Sequence, residues 1–435
     1  MTEDPQTTVC IVGGGPAGIV LALLLARSGI NITVVEKHRD FNRDFRGDTI
    51  HAATLRVMQQ IGLLDPFLQL PHQRFDHAFA NLGSKSYLIA DFTTLPRPCN
   101  FIALMPQWDL LDFLSAEVRK YPNARILMEH KVTGLLTDPN TGRVLGAHAE
   151  TPAGPVEIRA DLTVGCDGRR SITTESAHLQ RVDRGAPIDV LWLRLSRRHD
   201  DPEIALGNLN FGRMIVMINR RDYFQCGYII RKGAFETHIR PAGLEAFRHD
   251  IATLVPFLGA PGPNPGPDPG PDLGLNSGPA PGPASRSRVD EIQSWDQVSL
   301  LSVQVNRLKR WHLAGLLSIG DAAHAMSPVG GIGINLAIQD AVAAARILTP
   351  ALRAAQARGI AVPEHTLARV QRRRSLPTRI TQSFQVAIHR FLDRYLGNPA
   401  PLRAPLLLRI LSRSRTFHRA TARFVALGIR PENVR

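Results

Sequence analysis

Apolar residues fall into short runs whose spacing predicts strand, helix and strand in turn. Thr7–Val12 is β-branched and apolar and ends at glycines, Pro16–Ser28 is a helical run stopped by Gly29, and Asn31–Glu36 is a second β-branched run. Strand, helix and strand within about 30 residues make a βαβ unit, whose strands must be parallel. Ala53–Ile61 predicts a helix closed by Gly62, Leu110–Tyr121 another helix, and Ala124–Glu129 a strand. Gly142–Thr151 and Val156–Val164 predict an antiparallel pair. From Ile188 to Lys232 the pattern changes: Val190–Leu195, Met214–Asn219 and Tyr223–Ile230 are strand-like with charged turns between them, which predicts a separate antiparallel sheet. Gly259–Ser285 is nearly all Gly, Pro, Asn, Asp and Ala. Such a stretch cannot bury apolar surface, so an extended or disordered surface insertion is expected there. Leu316–Ile319 predicts a strand, Asn335–Leu348 an alanine-rich apolar helix, and the chain after Pro350 is helical and basic to its end.

With 435 residues the chain is longer than one core needs, so two domains and an appendage are expected. Hydrophobic content of 44% and charged content of 21% fit a soluble globular protein. The net charge is +14, with much of the excess in Arg372–Arg374 and Arg409–Arg423. A solvated basic helical face explains it, and no zinc-finger or RNA-binding signature accompanies it, so nucleic-acid binding is not expected. Cys10, Cys99, Cys166 and Cys226 form no CxxC pair, which suggests neither a metal site nor a disulfide framework. Val9–Ala26 carries no charge, but Gly13–Gly18 and Pro16 interrupt it and the acids Glu3 and Asp4 precede it. It predicts a buried strand, turn and helix rather than a membrane span or signal peptide, and a cytoplasmic protein is expected.

The chemistry starts at VCIVGGGPAG, where Gly13, Gly15 and Gly18 match G-x-G-x-x-G. The first glycine permits a tight turn, the second lets backbone approach a pyrophosphate, and the third lets helix pack on strand. The helix N-terminus then presents N–H groups and a favourable dipole to phosphate. Glu36 ends the next strand, 18 residues after Gly18, where an acid can hold ribose hydroxyls. An acid there repels an adenosine 2′-phosphate, which disfavours NADP at this turn. A second constellation lies in LLSIGDAAHAMSPVGGIGINLAIQDA (Leu316–Ala341): a carboxylate at a strand end, a glycine-rich loop and a helix N-terminus. A third is VGCDGRRS (Val164–Ser171).

Together these motifs resemble the group A flavoprotein monooxygenases, the p-hydroxybenzoate hydroxylase-like family of FAD-dependent aromatic hydroxylases. The resemblance spans residues 9–341. It implies that Glu36 binds the adenosine ribose, that Arg46 with adjoining Gly47 sits near the flavin, and that Gln107 contacts the flavin chain. It implies that Asp321 binds the ribityl hydroxyls, that Pro328, Gly331, Gly333 and Asn335 line the flavin ring, and that Asp167–Gly168 touches FAD and NAD(P)H. Plainer readings stand beside these: Gln107 as a helix cap, Arg46 paired with Asp44 or Asp48, Asp321 as a cap, and His324 and His51 as hydrogen-bonding or capping histidines. The Asp-Gly motif departs from the family, with Arg169–Arg170 before Ser171 and Thr173–Thr174–Glu175 in the usual basic position. That puts the nicotinamide contact in question more than the flavin contact.

The fold so implied is α/β: a Rossmann-like, three-layer FAD-binding domain with a parallel sheet (1–72, 101–178 and 300–350). A substrate domain on a mostly antiparallel sheet (73–100 and 179–299, with the insertion 259–285) is inserted into it, and a helical C-terminal region (351–435) follows. The activity implied is hydroxylation of a small aromatic or polyketide-like molecule with NADPH or NADH and O2, through a flavin C4a-hydroperoxide. Trp192, Met214, Phe224 and Tyr228 are candidate pocket-lining residues. No general base, other catalytic residue or metal ligand can be assigned, and monomer and homodimer are equally compatible. A related flavin-dependent reductase or halogenase is an alternative, although the halogenase WxWxIP motif is absent. A non-catalytic flavin-binding module is another, with Leu406–Leu411 and its flanking arginines as an amphipathic membrane-facing surface.

Overall fold

The computed structural model describes residues 6–42, 49–83, 85–201, 207–220, 222–260, 287–398 and 400–434. Strand Gln6–Val12 lies between Gly154–Gly165 and Ile32–Val35, parallel to both. Ala124–Leu127 extends the sheet on one side and Leu316–Ser318 on the other, again in parallel. Alternation along the first strand sorts its side chains between two layers. Val9 and Ile11 face helices α1 (Pro16–Arg27) and α2 (Gln107–Arg119), while Cys10 and Val12 face the antiparallel ribbon Lys131–Thr137 and Val144–Thr151. The predicted βαβ unit and three-layer parallel sheet are therefore present. Gly154–Gly165 is one long strand that starts paired antiparallel with the ribbon and ends paired parallel in the main sheet.

The second sheet has seven strands, centred on Ile188–Ser196, Tyr223–Arg231 and Arg213–Asn219, and is antiparallel except where Gly207–Asn210 meets His77–Leu82. One face packs on α3 (Leu244–Leu254) through Leu193, Phe224, Cys226 and Tyr228. The other face carries Trp192, Met214, Val216 and Ile218 and looks toward the first sheet's loops and the C-terminal helices. Of Gly259–Ser285, only Gly259 and Ala260 are among the described residues.

The apolar helix α4 (Ile332–Arg358) is longer than its pattern suggested and runs through Pro350. It is long and apolar enough to cross a membrane, yet most of it is buried in the protein. Next come α5 (Glu364–Tyr395), α6 (Leu406–Leu411) and α7 (Arg415–Leu427). The basic run Arg372–Arg374 is not wholly a solvated face. Arg374 is 1% exposed and reaches Asp340 of α4 and Glu432 near the chain end. Of its two neighbours Arg372 is exposed, whereas Arg373 is half-buried and also meets Glu432 (2.6 Å).

Candidate functional site

The three glycine-containing turns touch one another at the carboxyl ends of the parallel strands. A Cβ on Gly13 would stand 2.6 Å from the Cys166 carbonyl oxygen, and one on Gly320 3.2 Å from the Ala17 side chain. Gly13 has φ +101°, a conformation closed to most residues. A Cβ on Gly18 would sit 2.0 Å from the Gly13 carbonyl oxygen, so this glycine is needed for helix to reach strand. Gly15 differs: its backbone is extended (φ −74°, ψ −177°) and an added Cβ meets none of the described residues within 4 Å. Among the described residues the space beside Gly15 is open, as a pyrophosphate approaching the backbone requires.

Helix α1 starts behind that space with no side-chain cap, and so does α4 behind Gly331. Two uncapped helix N-termini, each behind glycines, suit a ligand with negative charge at both ends. Glu36 is 3% exposed and accepts hydrogen bonds from the N–H of Gly14 (2.8 Å) and of His38 (3.1 Å). These bonds orient the Glu36 carboxylate beside the glycine turn.

Asp167 turns back into its own loop. Its oxygens accept from the Thr173 N–H (3.0 Å) and hydroxyl (3.1 Å), while Ser171 caps the short helix Ile172–Ser176. Burial raises the Asp167 carboxyl above the usual range, against the pull of those hydrogen bonds. Beside it Gly168, at φ +80°, has no described residue within 4 Å of an added Cβ. Arg169 ties this loop to the Gly-Asp motif: its Nε lies 3.2 Å from Asp321 Oδ2 and its Nη2 donates to the Met326 carbonyl (3.3 Å). The departure from the family pattern at Arg169 thus has a structural use.

The loop Pro328–Asn335 is gripped from both sides. On one side Asn335 uses every polar atom: its oxygen accepts from the His51 N–H and the Thr54 hydroxyl, both at 2.8 Å, and its amide donates to the carbonyls of Thr49 (3.0 Å) and Gly331 (3.2 Å). This fastens the segment that follows Arg46 to the start of α4. Arg46 and Gly47 themselves lie outside the described residues. On the other side, α5 reads the loop backbone. Gln385 accepts from the Ser327 N–H (3.1 Å) and donates to the carbonyls of Ser327 and Val329, and His389 Nε2 meets the Ser327 hydroxyl at 2.7 Å. Gln107 is half-buried at the first position of α2. Among the described residues, Met326 is the one within 4 Å of a Cβ added at Gly333.

Comparison with known proteins decides what this arrangement is. The FAD binding domain family matches residues 6–231 and 287–382. The chain belongs to this family, the group A flavoprotein monooxygenases. The flavoprotein is 30% identical over 354 residues to the 6-methylpretetramide 4-monooxygenase of Streptomyces rimosus, covering 81% of this chain and 77% of that one. It is 26% identical to the rifampicin monooxygenase of Streptomyces venezuelae, covering 77% of this chain and 62% of that one. Among solved structures, an anhydrotetracycline hydroxylase of Streptomyces rimosus superposes with a TM-score of 0.71 at 20% identity, covering 98% of this chain and 77% of that one. A probable FAD-dependent monooxygenase of Pseudomonas aeruginosa gives 0.67 at 20%, covering 89% and 97%. At that identity the likeness concerns the fold. The cofactor of this flavoprotein is FAD.

Sequence reasoning named His324 as a hydrogen-bonding histidine but missed Asp340, Arg374 and Glu432, which help to hold the flavoprotein's loops. His324 Nε2 lies 2.5 Å from Asp340 Oδ2, which also accepts from the Gly320 N–H (3.1 Å), and Asp340 Oδ1 accepts from Arg374 Nε (2.8 Å). Burial alone would raise the Asp340 carboxyl, but His324 and Arg374 outweigh it and hold it below the usual range. Glu432 closes the chain with bonds from Arg346 (2.9 Å) and Arg373 (2.6 Å). His324 thus makes the hydrogen bond expected of it, to Asp340. His51 is the N-cap residue of helix Ala52–Gln60, 1% exposed, with Nδ1 on the Val425 carbonyl (2.9 Å). Of the four candidate lining residues, Trp192 and Met214 lie on the sheet face toward the loops, whereas Phe224 and Tyr228 lie on the opposite face against α3. The register pairs Trp192 with Gly227 and Leu191 with Tyr228, so equal parity in sequence did not mean a shared face. A cavity of about 540 Å³ lies apart from these motifs, between α4 and α5, lined by Arg346, Arg369, Arg372 and Arg373.

Proposed function

We propose that this flavoprotein hydroxylates an aromatic, polyketide-like small molecule with NADPH or NADH and O2, in a pocket between the antiparallel sheet and the loop Pro328–Asn335. The observation that carries the reading is that Val329 of that loop packs in the same apolar cluster as Trp192, Met214 and Val216 of the sheet. A flat apolar molecule lying on that face would be next to the loop. When bound, FAD supplies the redox chemistry: it takes a hydride from the nicotinamide and activates O2 so that one oxygen atom reaches the substrate.

The residues of this chain provide binding, orientation and dryness. Gly13, Gly15, Gly18 and Glu36 would hold the adenosine and pyrophosphate half. Asp321, oriented by Arg169, would meet the ribityl hydroxyls, and Gln107, Asp167–Gly168, Pro328, Gly331, Gly333 and Asn335 would complete the cofactor's surroundings with Arg46 and Gly47. The apolar face excludes water, which limits loss of reduced oxygen as peroxide. The indole N–H of Trp192 is buried and has no acceptor among the described residues. A buried donor without a partner is costly, and a substrate hydroxyl or carbonyl oxygen would satisfy it. The relatives named for 6-methylpretetramide and rifampicin support a large aromatic substrate. The division into a discontinuous FAD-binding domain, an inserted substrate domain and a C-terminal helical region belongs to the same proposal.

The test uses the FAD-loaded protein, NADPH or NADH, labelled O2 and a panel of phenols and polycyclic phenolic ketones. Mass spectrometry should find one labelled oxygen atom in a product. Nicotinamide oxidation yielding peroxide alone with every aromatic compound would reject the reading. With the substrate in hand, Trp192→Phe should raise KM about tenfold with kcat nearly kept, the value of one hydrogen bond.

A further inference from the structure

We propose that α6 seats this protein on an anionic lipid surface. The inference is independent of the substrate reading above. Helix α6 presents Leu406, Leu407 and Ile410 to solvent, at 66%, 67% and 59% exposure, well above the other exposed large apolar residues. Positions i, i+1 and i+4 share one side of a helix, so the three form a single apolar ridge. The opposite side is fixed to the protein: Leu408 packs in the cluster of Leu392 and Leu396, and just upstream Ala404 is buried and the Leu402 N–H donates to Asn210 Oδ1 (3.2 Å). Pro405 sets the entry to the helix. The ridge is therefore held outward rather than left loose.

The surroundings of the ridge select its partner. Arg403, Arg409 and Arg413 flank it, and Arg415, Arg419 and Arg423 continue on α7, all exposed and none with an ion-pair partner among the described residues. Between Asp393 and Glu432 the chain contains no Asp or Glu. A short apolar ridge rimmed by arginines matches a bilayer interface, where leucines enter the acyl boundary and guanidinium groups meet lipid phosphates. A second copy of the chain fits poorly. Its arginine rim would face an identical rim, and three side chains fall far short of the roughly 800 Å² per partner of a stable interface.

Cosedimentation of the FAD-loaded full chain with vesicles tests this, comparing phosphatidylcholine alone with phosphatidylcholine containing phosphatidylglycerol. Binding to the anionic vesicles only is expected. The variants L406S/L407S and R409Q/R413Q should each weaken it by about tenfold or more, with the flavin spectrum and nicotinamide oxidation unchanged. The proposal is overturned if the wild-type protein ignores anionic vesicles, if it binds neutral ones equally well, or if L406S/L407S binds as tightly as wild type. It is also overturned if light scattering finds a dimer that L406S/L407S converts to monomer.

Discussion

Gly15→Ala and Gly18→Ala separate a glycine kept for a ligand from a glycine kept for the fold. At Gly18 the new methyl group would lie 2.0 Å from the Gly13 carbonyl oxygen. Either α1 or the turn must move, and overpacking of this kind costs about 3 kcal/mol or more. At Gly15 the methyl group meets none of the described residues within 4 Å, and the extended backbone (φ −74°) suits alanine. The apoprotein should lose nothing and gain up to about 0.5 kcal/mol from a less flexible unfolded chain. The methyl group would instead stand where the pyrophosphate approaches, displacing at least one charge-assisted hydrogen bond of about 1.5–3 kcal/mol. FAD affinity should then fall by about 10- to 150-fold. Denaturant unfolding of both apoproteins measures the first quantity, and quenching of flavin fluorescence on titration with FAD measures the second. If G15A apoprotein is as unstable as G18A, or if G15A binds FAD like wild type, the division of labour argued for these glycines is wrong.

Three further expectations come from the groups around the loops. His51 and His389 are both buried, and desolvation pushes each imidazole down to about 4. Between about pH 4 and 6.5 the imidazoles are neutral in the folded state but protonated in the unfolded chain, so stability is complete above about pH 6.5 and falls as pH drops toward 4, by about 3 kcal/mol for His51. Denaturant midpoints measured across that window should fall, and His51→Leu should flatten the slope; an unchanged slope refutes the assignment. Arg374→Met should destabilise the protein by about 3–5 kcal/mol by leaving Asp340 and Glu432 buried without it, and D340N/R374M should cost less than the sum of its singles. Strict additivity in a double-mutant cycle would show that the buried pair is not coupled. Arg169→Met frees Asp321 and the Met326 carbonyl and should weaken FAD binding about tenfold with the unfolding midpoint nearly unchanged; unaltered affinity counts against a role for this arginine in orienting Asp321.

What the sequence revealed and what it hid follow from the range of each interaction. The glycine turn was legible because its strand, helix and acid lie within one short βαβ unit. The antiparallel sheet was legible by composition, but not which residues share its faces. Phe224 and Trp192 both have even numbers, yet the pairing of Leu195 with Phe224 and Trp192 with Gly227 sends them to opposite faces. Register is set by cross-strand partners, which no single strand contains. Arg374 was indistinguishable from Arg372 and Arg373 because nothing local marks which of the three is buried and reaches Asp340, 34 residues away. Asp167 was legible as a motif, but not its hydrogen bonds to Thr173, which depend on a turn at Gly168 that only its positive φ permits.

The C-terminal helices read as an appendage in sequence, and their contacts argue for a larger role. Helix α5 holds the backbone of Ser327 and Val329 through Gln385 and holds Ser327 again through His389. Helix α7 supplies the carbonyl that fixes the buried His51, whose own N–H is held by Asn335. The segment after Arg46 and the loop before α4 are thus braced by side chains that the glycine motifs do not contain. The motifs provide open space and unpaired helix termini, but backbone turns rich in glycine do not hold one conformation by themselves. The polar side chains of α5 and the packing of α7 supply that constraint. The glycine motifs alone therefore explain where the cofactor fits, while the geometry next to the apolar sheet face depends on residues beyond position 351.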